Sequence, residues 1–144
     1  MKGTRGVRAA EVDDADYQAL AEFRFALRGF LAFSERAART AGLTAQQHQA
    51  LLAIRGFPGR DRVSVSELAE RLLIRHHSAV ELIDRLARLG LIVRTSDPSD
   101  RRRVHITLTP KARRKLTALS AAHMKELRQL SAAVPRLLER LGTP

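Results

Sequence analysis

Cysteine is absent from this sequence of 144 residues. Its absence excludes disulfides, thiolate zinc sites, iron–sulfur clusters and cysteine-based redox sensing in this chain. The sequence also lacks any run of about 18 apolar residues, and its first residues hold no apolar segment that could act as a signal peptide. We therefore expect a soluble, cytoplasmic protein that does not bind a membrane.

Sequence motifs of common catalytic and metal sites are absent as well. The chain has no nucleophile elbow, no glycine-rich phosphate loop, no His-Glu-x-x-His sequence and no cysteine nucleophile. Adjacent His76 and His77 would point about a hundred degrees apart on a helix and cannot easily share one ion. The remaining histidines, His48, His105 and His123, fall on different predicted elements. We therefore expect a protein that is not an enzyme and has no cofactor or metal.

Positive charge is in clear excess. The chain has 26 Lys and Arg residues against 15 Asp and Glu residues, a formal net charge of +11. Between Arg60 and Lys115 there are 14 basic and 7 acidic residues, a local net charge of +7. A surplus of this size favours a polyanionic partner over a small neutral substrate.

The first 42 residues predict a tail and one long helix. Residues 1–12 mix charged and small side chains without a period, and we expect a loose tail there. An acidic cluster at residues 13–16 suits a helix N-terminus, because the helix dipole favours negative charge at that end. Apolar residues then recur at steps of three and four over a broad surface. We assign residues 13–42 to this helix.

Two capping boxes mark the helices that follow. Residues 44–47 (Thr-x-x-Gln) begin one helix and residues 64–67 (Ser-x-x-Glu) begin another, shorter one. After a tight connection at residues 73–75, a further helix is predicted from His76 to about Leu89. Its apolar positions are Ala79, Leu82, Ile83 and Leu86. Two short helices joined in this way, the second polar near its start, match a helix-turn-helix whose second helix enters the major groove of DNA.

Residues 89–109 predict a β-hairpin with a basic tip. Val104, Ile106 and Leu108 alternate onto one face, as in a half-buried strand. The tip carries a DPSD turn and three consecutive arginines, which repel one another unless solvent or an anionic partner screens them. Taken alone, such a tip is usually a solvated loop. After a helix-turn-helix, it is expected to be a wing that contacts DNA.

A proline-started helix follows the hairpin. Thr109 and Pro110 are suited to the cap and the first helical position. From Leu116 to Leu141, apolar residues step by three or four, close to a heptad seam. Pro135 should kink or restart the helix, because a proline inside a helix lacks the N–H donor.

This apolar stripe is longer than a small domain needs for its own core. We therefore expect the terminal helices to form a dimer interface, and packing within one subunit is the alternative. The residues expected in that interface are Tyr17, Leu20, Leu27, Leu127, Leu130, Val134, Leu137 and Leu141.

Four stretches together resemble a known family. They are VSVSELAERL at Val63–Leu72, AVELIDRLARLGLI at Ala79–Ile92, DPSDRRR at Asp97–Arg103 and ITLTPKA at Ile106–Ala112. Their order and spacing are similar to those of the multiple antibiotic resistance regulator (MarR) family of winged-helix transcription factors. The resemblance implies a homodimer that binds a pseudo-palindromic operator and is released by a small, often aromatic or anionic, ligand.

The expected fold is mainly α with a small antiparallel β wing. A winged helix-turn-helix at residues 43–109 would be flanked by dimerisation helices at residues 13–42 and 110–144. The chain departs from the family pattern at Arg75, where a Ser or Thr cap is frequent. It departs also at residues 76–77, where two histidines replace the commoner Arg-Ser type pair. The operator sequence therefore cannot be carried over from the family.

The candidate DNA contacts lie on two elements. On the recognition helix they are Arg75, His76, His77, Ser78, Glu81 and Arg85. On the wing they are Arg94, Arg101, Arg102 and Arg103, directed to the DNA backbone or the minor groove. The carboxylates expected to order the wing through hydrogen bonds or ion pairs are Asp84, Asp97 and Asp100.

Two functional hypotheses follow. The first is a sequence-specific, dimeric transcriptional regulator, expected to be a repressor, that binds double-stranded DNA and is released by a small ligand. The alternative is a nucleoid-type protein that coats DNA and tolerates most sequences. Binding to duplex RNA is disfavoured, because the recognition helix does not fit the deep, narrow groove of RNA.

Overall fold

The computed structural model describes residues 11–141, and most of the tail predicted at residues 1–12 lies outside this range. The described chain is mainly helical and includes a three-stranded antiparallel sheet, which confirms the predicted fold class. The elements in chain order are α1 (Asp14–Thr40), α2 (Ala45–Arg55), β1 (Arg62–Val63), α3 (Val65–Leu72), α4 (His76–Arg88), β2 (Ile92–Ser96), β3 (Val104–Leu108), α5 (Pro110–Leu130) and α6 (Ala133–Leu141). No helix within residues 11–141 is both long enough and apolar enough to cross a membrane.

The chain divides into two compact units. One comprises the chain up to Leu31 together with the chain from Glu126 onward, and the other comprises Ala32–Lys125. Helices α1 and α5 each contribute to both units.

The core of the Ala32–Lys125 unit is built from the apolar faces of its helices and sheet. Its largest fully buried side chains are Val63, Leu51, Ile54, Leu68, Ile83, Leu86, Leu91 and Ile106. Helix α4 buries Ala79, Leu82, Ile83 and Leu86, the positions that its sequence period predicts. The polar face of α4 is therefore turned away from this core.

Both predicted capping boxes are present. Thr44 accepts a hydrogen bond from the Gln47 amide (3.1 Å), and the Gln47 side chain accepts one from the Thr44 amide (3.0 Å). Ser64 and Glu67 make the same reciprocal pair at 3.2 and 3.0 Å. Each box satisfies two backbone N–H groups that a helix start leaves without an intrahelical partner. The starts of α2 and α3 are thus set by local sequence.

The turn between α3 and α4 is made by Leu73 in the left-handed region, at φ +54°. Its amide donates to the carbonyl of Glu70 (3.2 Å), and the amide of Ile74 donates to the carbonyl of Ala69 (3.0 Å). These hydrogen bonds satisfy carbonyl groups at the C-terminus of α3 and end the helix at Leu72, so that α4 can begin at His76. Gly90 adopts φ +70° after α4, which confirms the predicted stop.

Strand β3 lies at the centre of the sheet, between β1 and β2. The β2–β3 hairpin runs in the register Ile92↔Leu108 to Ser96↔Val104. Ile106 and Leu108 are buried on the predicted apolar face of β3. Strand β1 pairs with the other edge of β3 through Val63↔Ile106, and the sequence analysis did not predict this strand. Two residues are too few to show the alternation that identifies a strand.

Thr109 joins the sheet to α5. Its hydroxyl accepts from the Ala112 amide (3.2 Å), as expected of a cap, and donates to the Gly90 carbonyl (2.7 Å). The Thr109 amide also donates to the carbonyl of Leu91 (3.0 Å). The start of α5 is therefore bound to the segment that follows α4.

The predicted effect of Pro135 is confirmed as a restart. Helix α5 ends at Leu130, and a new helix, α6, begins at Ala133. Pro135 lies in the first turn of α6, where backbone N–H groups have no intrahelical acceptor and a missing donor costs little.

In the unit formed by the chain termini, ion pairs join α6 to the start of α1. Arg140 donates to Asp13 (2.5 Å) and to Asp16 (2.8 Å), and Arg136 pairs with Glu22 at 3.3 Å. The hydrogen bond from Arg140 is the main cause that lowers the pKa of Asp13. These pairs are exposed to solvent, where such contacts contribute little stability, so their main effect is to orient α6.

Candidate nucleic-acid interface

The outward face of α4 carries the residues predicted for base recognition. Arg75, His76, His77, Glu81 and Arg85 are exposed, and Ser78 is half-buried. These positions recur on the helix surface opposite the apolar stripe that packs into the core. At the start of α4, the side chain of Arg75 makes no capping hydrogen bond. Amide groups at an open helix N-terminus favour an anion.

An ion pair joins α4 to the wing. Arg94 of β2 donates to the carboxylate of Asp84 on α4, and both side chains are partly exposed. A surface pair of this kind contributes at most about 1 kcal/mol to stability. Its structural effect is to place β2 beside the exposed face of α4. Arg94, which the sequence predicts to contact DNA, thus has an intramolecular partner.

Hydrogen bonds from two aspartates shape the wing tip. Asp97 Oδ1 accepts from the amide (2.9 Å) and the hydroxyl (2.7 Å) of Ser99. Asp100 Oδ1 accepts from the amide of Arg102 (3.0 Å), and the amide of Arg103 donates to the Asp100 carbonyl (3.0 Å). Aspartates that accept from amides two residues later are typical of tight turns. Both carboxylates are therefore engaged with the turn.

His105 closes the base of this tip, a role that sequence analysis did not predict. Its Nε2 lies 3.2 Å from Oδ2 of Asp97, across the hairpin. The hydrogen bonds from Ser99, followed by that from His105, hold the pKa of Asp97 far below its usual range. The contact depends on the register of the two strands, which the sequence alone did not supply.

The three arginines of the tip are exposed. Within residues 11–141, Arg101, Arg102 and Arg103 make no ion pair with a carboxylate. The nearby Asp97 and Asp100 keep their negative charge but bond to the turn, so the three arginines leave the tip with a net positive charge. Such a surface attracts phosphate.

A groove of about 590 Å³ separates the wing from the start of α3. Arg102 and Arg103 line one side, and Arg60 lines the other. Arg60 pairs with Glu67, and its guanidinium lies 4.6 Å from the centroid of the Phe57 ring. The sequence did not predict a role for this arginine, because its position follows from a loop that has no regular period.

A second groove, of about 450 Å³, lies between α2 and α5 within the Ala32–Lys125 unit. Leu52 and Leu116 supply an apolar surface, and Arg55 and Arg113 supply positive charge. Arg113 donates to Asp61 at 2.8 Å, and this hydrogen bond is the main cause that lowers the pKa of Asp61. Arg55 makes no hydrogen bond of this kind among the described residues, but its charge also lowers the pKa of Asp61. The groove therefore combines an apolar wall with two guanidinium groups, of which that of Arg55 is not hydrogen-bonded to the carboxylate.

The described residues contain no group of three or more His, Asp or Glu side chains arranged to hold a metal ion.

Comparisons with known proteins find the central part of the chain similar to one family. Residues 41–103 match the sequence model of the MarR family. A putative transcriptional regulatory protein for the hcr operon of Thauera aromatica is 31% identical over 106 residues, which cover 74% of this chain and 62% of that protein. The chain thus spans less than two thirds of the length of this curated relative.

Solved structures show the same fold. The multiple antibiotic-resistance repressor of Listeria monocytogenes is 25% identical, with a TM-score of 0.64 over 89% of this chain and 99% of that chain. Staphylococcus aureus MepR bound to an oligodeoxyribonucleotide is 21% identical, with a TM-score of 0.66 over 91% of this chain and 99% of that chain. At this identity the second comparison supports the winged-helix fold alone.

The hydrogen bonds of Asp97 predict a local effect of removing its carboxylate. In Asp97→Ala the Ser99 amide loses its acceptor, so its hydrogen exchange should become several-fold faster, while core amides such as that of Ile106 keep their protection. NMR-detected exchange measures both. Ser96→Ala is the matched control, since no side-chain hydrogen bond of Ser96 holds the turn. Equal exchange of Ser99 in wild type and Asp97→Ala would contradict this account of the turn.

Proposed function

We propose that this chain, which belongs to the MarR family through its winged helix-turn-helix, regulates transcription by binding double-stranded DNA. The observation that carries the proposal is the joint surface of α4 and the wing. An exposed polar helix face lies beside a hairpin whose tip arginines make no ion pair among the described residues. An α-helix fits the major groove of B-DNA, and arginines bind phosphates or enter a narrow minor groove.

The exposed face of α4 favours sequence-specific binding over general coating of DNA. His76, His77 and Ser78 offer hydrogen-bond donors and acceptors at the start of the helix. Glu81, one turn later, is also exposed, and a carboxylate there would be repelled by phosphates. It can instead accept a hydrogen bond from N4 of cytosine in the major groove. A protein that only coats DNA gains nothing from this residue.

We propose that the functional unit is a homodimer joined through the terminal helices. In the unit formed by the chain termini, apolar side chains are exposed in the single chain, among them Tyr17 (62%), Leu20 (47%) and Leu141 (71%). Leu27, Leu127 and Val134 are exposed as well, whereas Leu130 and Leu137 are half-buried. An apolar surface of this kind is typical of an interface. Two recognition helices in such a dimer would read half-sites about 34–36 Å apart, in a pseudo-palindromic operator.

We further propose that the protein represses its operator and that a small anionic effector releases it. The Listeria protein is a repressor by name, which favours the same mode here. The α2–α5 groove has the apolar wall and the guanidinium that an aromatic carboxylate requires. Bound effector would lower DNA affinity only if it binds the DNA-free conformation more tightly. A regulator of this kind must share a compartment with the DNA that it binds, which agrees with the expected cytoplasmic location.

The DNA-binding proposal is tested by Arg102→Ala. The hydrogen bond that Asp100 accepts in the turn comes from the backbone amide of Arg102, which the substitution leaves in place. The wing should therefore keep its shape while one phosphate contact is lost. We expect weaker binding to all sequences, and a slope of log affinity against log salt that is smaller by about one for each bound subunit. Fluorescence anisotropy over a salt series measures both.

Arg36→Ala is the matched control, because it removes an exposed arginine of α1 that lies outside α4 and the wing. An unchanged slope in Arg102→Ala would contradict the wing assignment.

The same assay compares a selected operator with scrambled DNA at one salt concentration. A specific regulator should prefer the operator by about a thousandfold or more. Equal affinities for the operator and for scrambled DNA would favour a DNA-coating protein.

The dimer proposal is tested by Leu127→Asp. Burial of an unpaired carboxylate at an apolar interface is costly, so we expect this variant to sediment as a monomer at concentrations where wild type is a dimer. Gln129→Asp places the same charge at an exposed polar position of α5 and should remain dimeric. Sedimentation velocity, with helix content checked by circular dichroism, distinguishes them. A dimeric Leu127→Asp would argue that this part of α5 packs within one subunit.

The effector groove is tested with benzoate as a probe. Wild type should bind benzoate and lose DNA affinity in its presence. Arg55→Ala should weaken benzoate binding by about tenfold or more, since it removes a charge-assisted hydrogen bond of about 1.5–3 kcal/mol. Isothermal titration calorimetry measures the affinity, with Arg36→Ala as the matched control. Equal benzoate affinity in wild type and Arg55→Ala would exclude this groove as the site.

A further inference from the structure

Two histidine rings are buried against each other between α2 and α5. His48 of α2 is 3% exposed and His123 of α5 is 9% exposed. Their ring centroids are 4.8 Å apart, at an interplanar angle of 44°. Both belong to the Ala32–Lys125 unit, yet neither contributes to the DNA surface or the effector groove described above. A buried pair of titratable groups without such a role calls for a physical explanation.

The hydrogen bonds of His123 define its neutral tautomer. Its Nδ1 lies 2.6 Å from the carbonyl oxygen of Leu119, which can only accept, so Nδ1 carries the proton. In the neutral ring Nε2 then accepts from the hydroxyl of Ser34, at 2.8 Å. The ring of Phe33 packs edge-on against His123, with centroids 5.3 Å apart. Neutral His123 is thus held by both nitrogens.

His48 is placed differently. Its Nδ1 is buried and has no hydrogen-bond partner among the described residues. A buried N–H without an acceptor costs about 1–3 kcal/mol, so Nδ1 is the unprotonated nitrogen and the ring is neutral. Protonation would create both an unpaired N–H and a positive charge in the core, beside a second histidine. The α1 residues that contact the paired ring of His123, Phe33 and Ser34, carry no charge that could compensate it.

We propose that His48 and His123 form a buried, proton-sensitive latch between α2 and α5, through which mild acidification loosens the unit and lowers DNA affinity. The effect on DNA rests on the proposed DNA-binding function. Helix α2 packs on α3 of the helix-turn-helix, and α5 begins at the base of the wing through Thr109. A change in the contact between α2 and α5 therefore affects α3 of the helix-turn-helix and the start of α5 at the base of the wing.

The direction of the pH effect follows from the burial of His48. Burial, and then the proximity of His123, lower the pKa of His48 below that of an exposed histidine. In the unfolded chain His48 titrates near its ordinary pKa of about 6.5, so there it binds a proton that the folded state excludes. The stabilising contribution is fully present above that value. It is lost as the pH falls from about 6.5 towards the lower pKa of the folded protein.

Urea unfolding of the full chain tests the latch without DNA. Between about pH 7.5 and about pH 5.5, the wild-type midpoint should fall, and His48→Leu should lose most of that fall because the apolar side chain cannot be protonated. His77→Gln, which removes an exposed histidine, is the matched control and should keep the wild-type fall. A wild-type midpoint that does not fall, or a fall that His48→Leu retains, overturns the proposal.

A direct measurement covers the case in which His48→Leu folds poorly. NMR titration of the imidazole protons in the wild-type protein should show a pKa for His48 below the ordinary histidine value of about 6.5. A pKa for His48 equal to or above that value overturns the proposal irrespective of the variant.

The functional arm compares DNA affinity at the same two pH values and one salt concentration. From the higher to the lower pH, wild type should lose several-fold more affinity than His48→Leu, with an upper limit of about tenfold per pH unit for one proton. An equal loss of DNA affinity in wild type and in His48→Leu overturns the regulatory role. Failure of wild type to bind DNA at about pH 7.5 overturns the proposed function, whereas the urea experiment decides the latch by itself.

Discussion

Strand β3 connects the wing to the core. It is paired on both edges, with β1 and with β2, and Ile106 at its centre is fully buried. A shift of one residue would turn Ile106 to solvent and bring a polar neighbour into the core, so the register is strongly specified. Because β3 cannot slide, the base of the hairpin is fixed and the tip arginines project from a defined place.

The distribution of charge around this strand explains how the wing can be both ordered and strongly basic. Asp84 binds Arg94, and Asp97 and Asp100 bind backbone amides or His105. Each carboxylate is thereby held in an intramolecular contact, and none of the three forms an ion pair with an arginine of the tip. The arginines of residues 101–103 repel one another and gain most from an external anion. Order in the turn is thus obtained without neutralising the surface that would bind DNA.

The features that the sequence predicted are those determined by neighbouring residues. The capping boxes at Thr44 and Ser64, the apolar stripe of α4 and the hairpin alternation all depend on short spacings. Strand β1 has only two residues and exists because β3 offers it a partner. The His105–Asp97 contact required the strand register, and the stacking of Arg60 on Phe57 depends on an irregular loop. These contacts follow from tertiary structure and leave no local pattern.

Helix α5 connects the proposed activities. Its first residue follows Thr109, which holds the base of the wing. Its middle lines the α2–α5 groove and bears His123, and its last turns carry exposed leucine at position 127. A helix is stiff along its axis, so a ligand or proton acting on its middle need not alter the wing contacts directly. It needs only to weaken the packing of α5 against α2. The buried pair of His48 and His123 supplies such a contact, since its neutral form fits the core and its charged form does not.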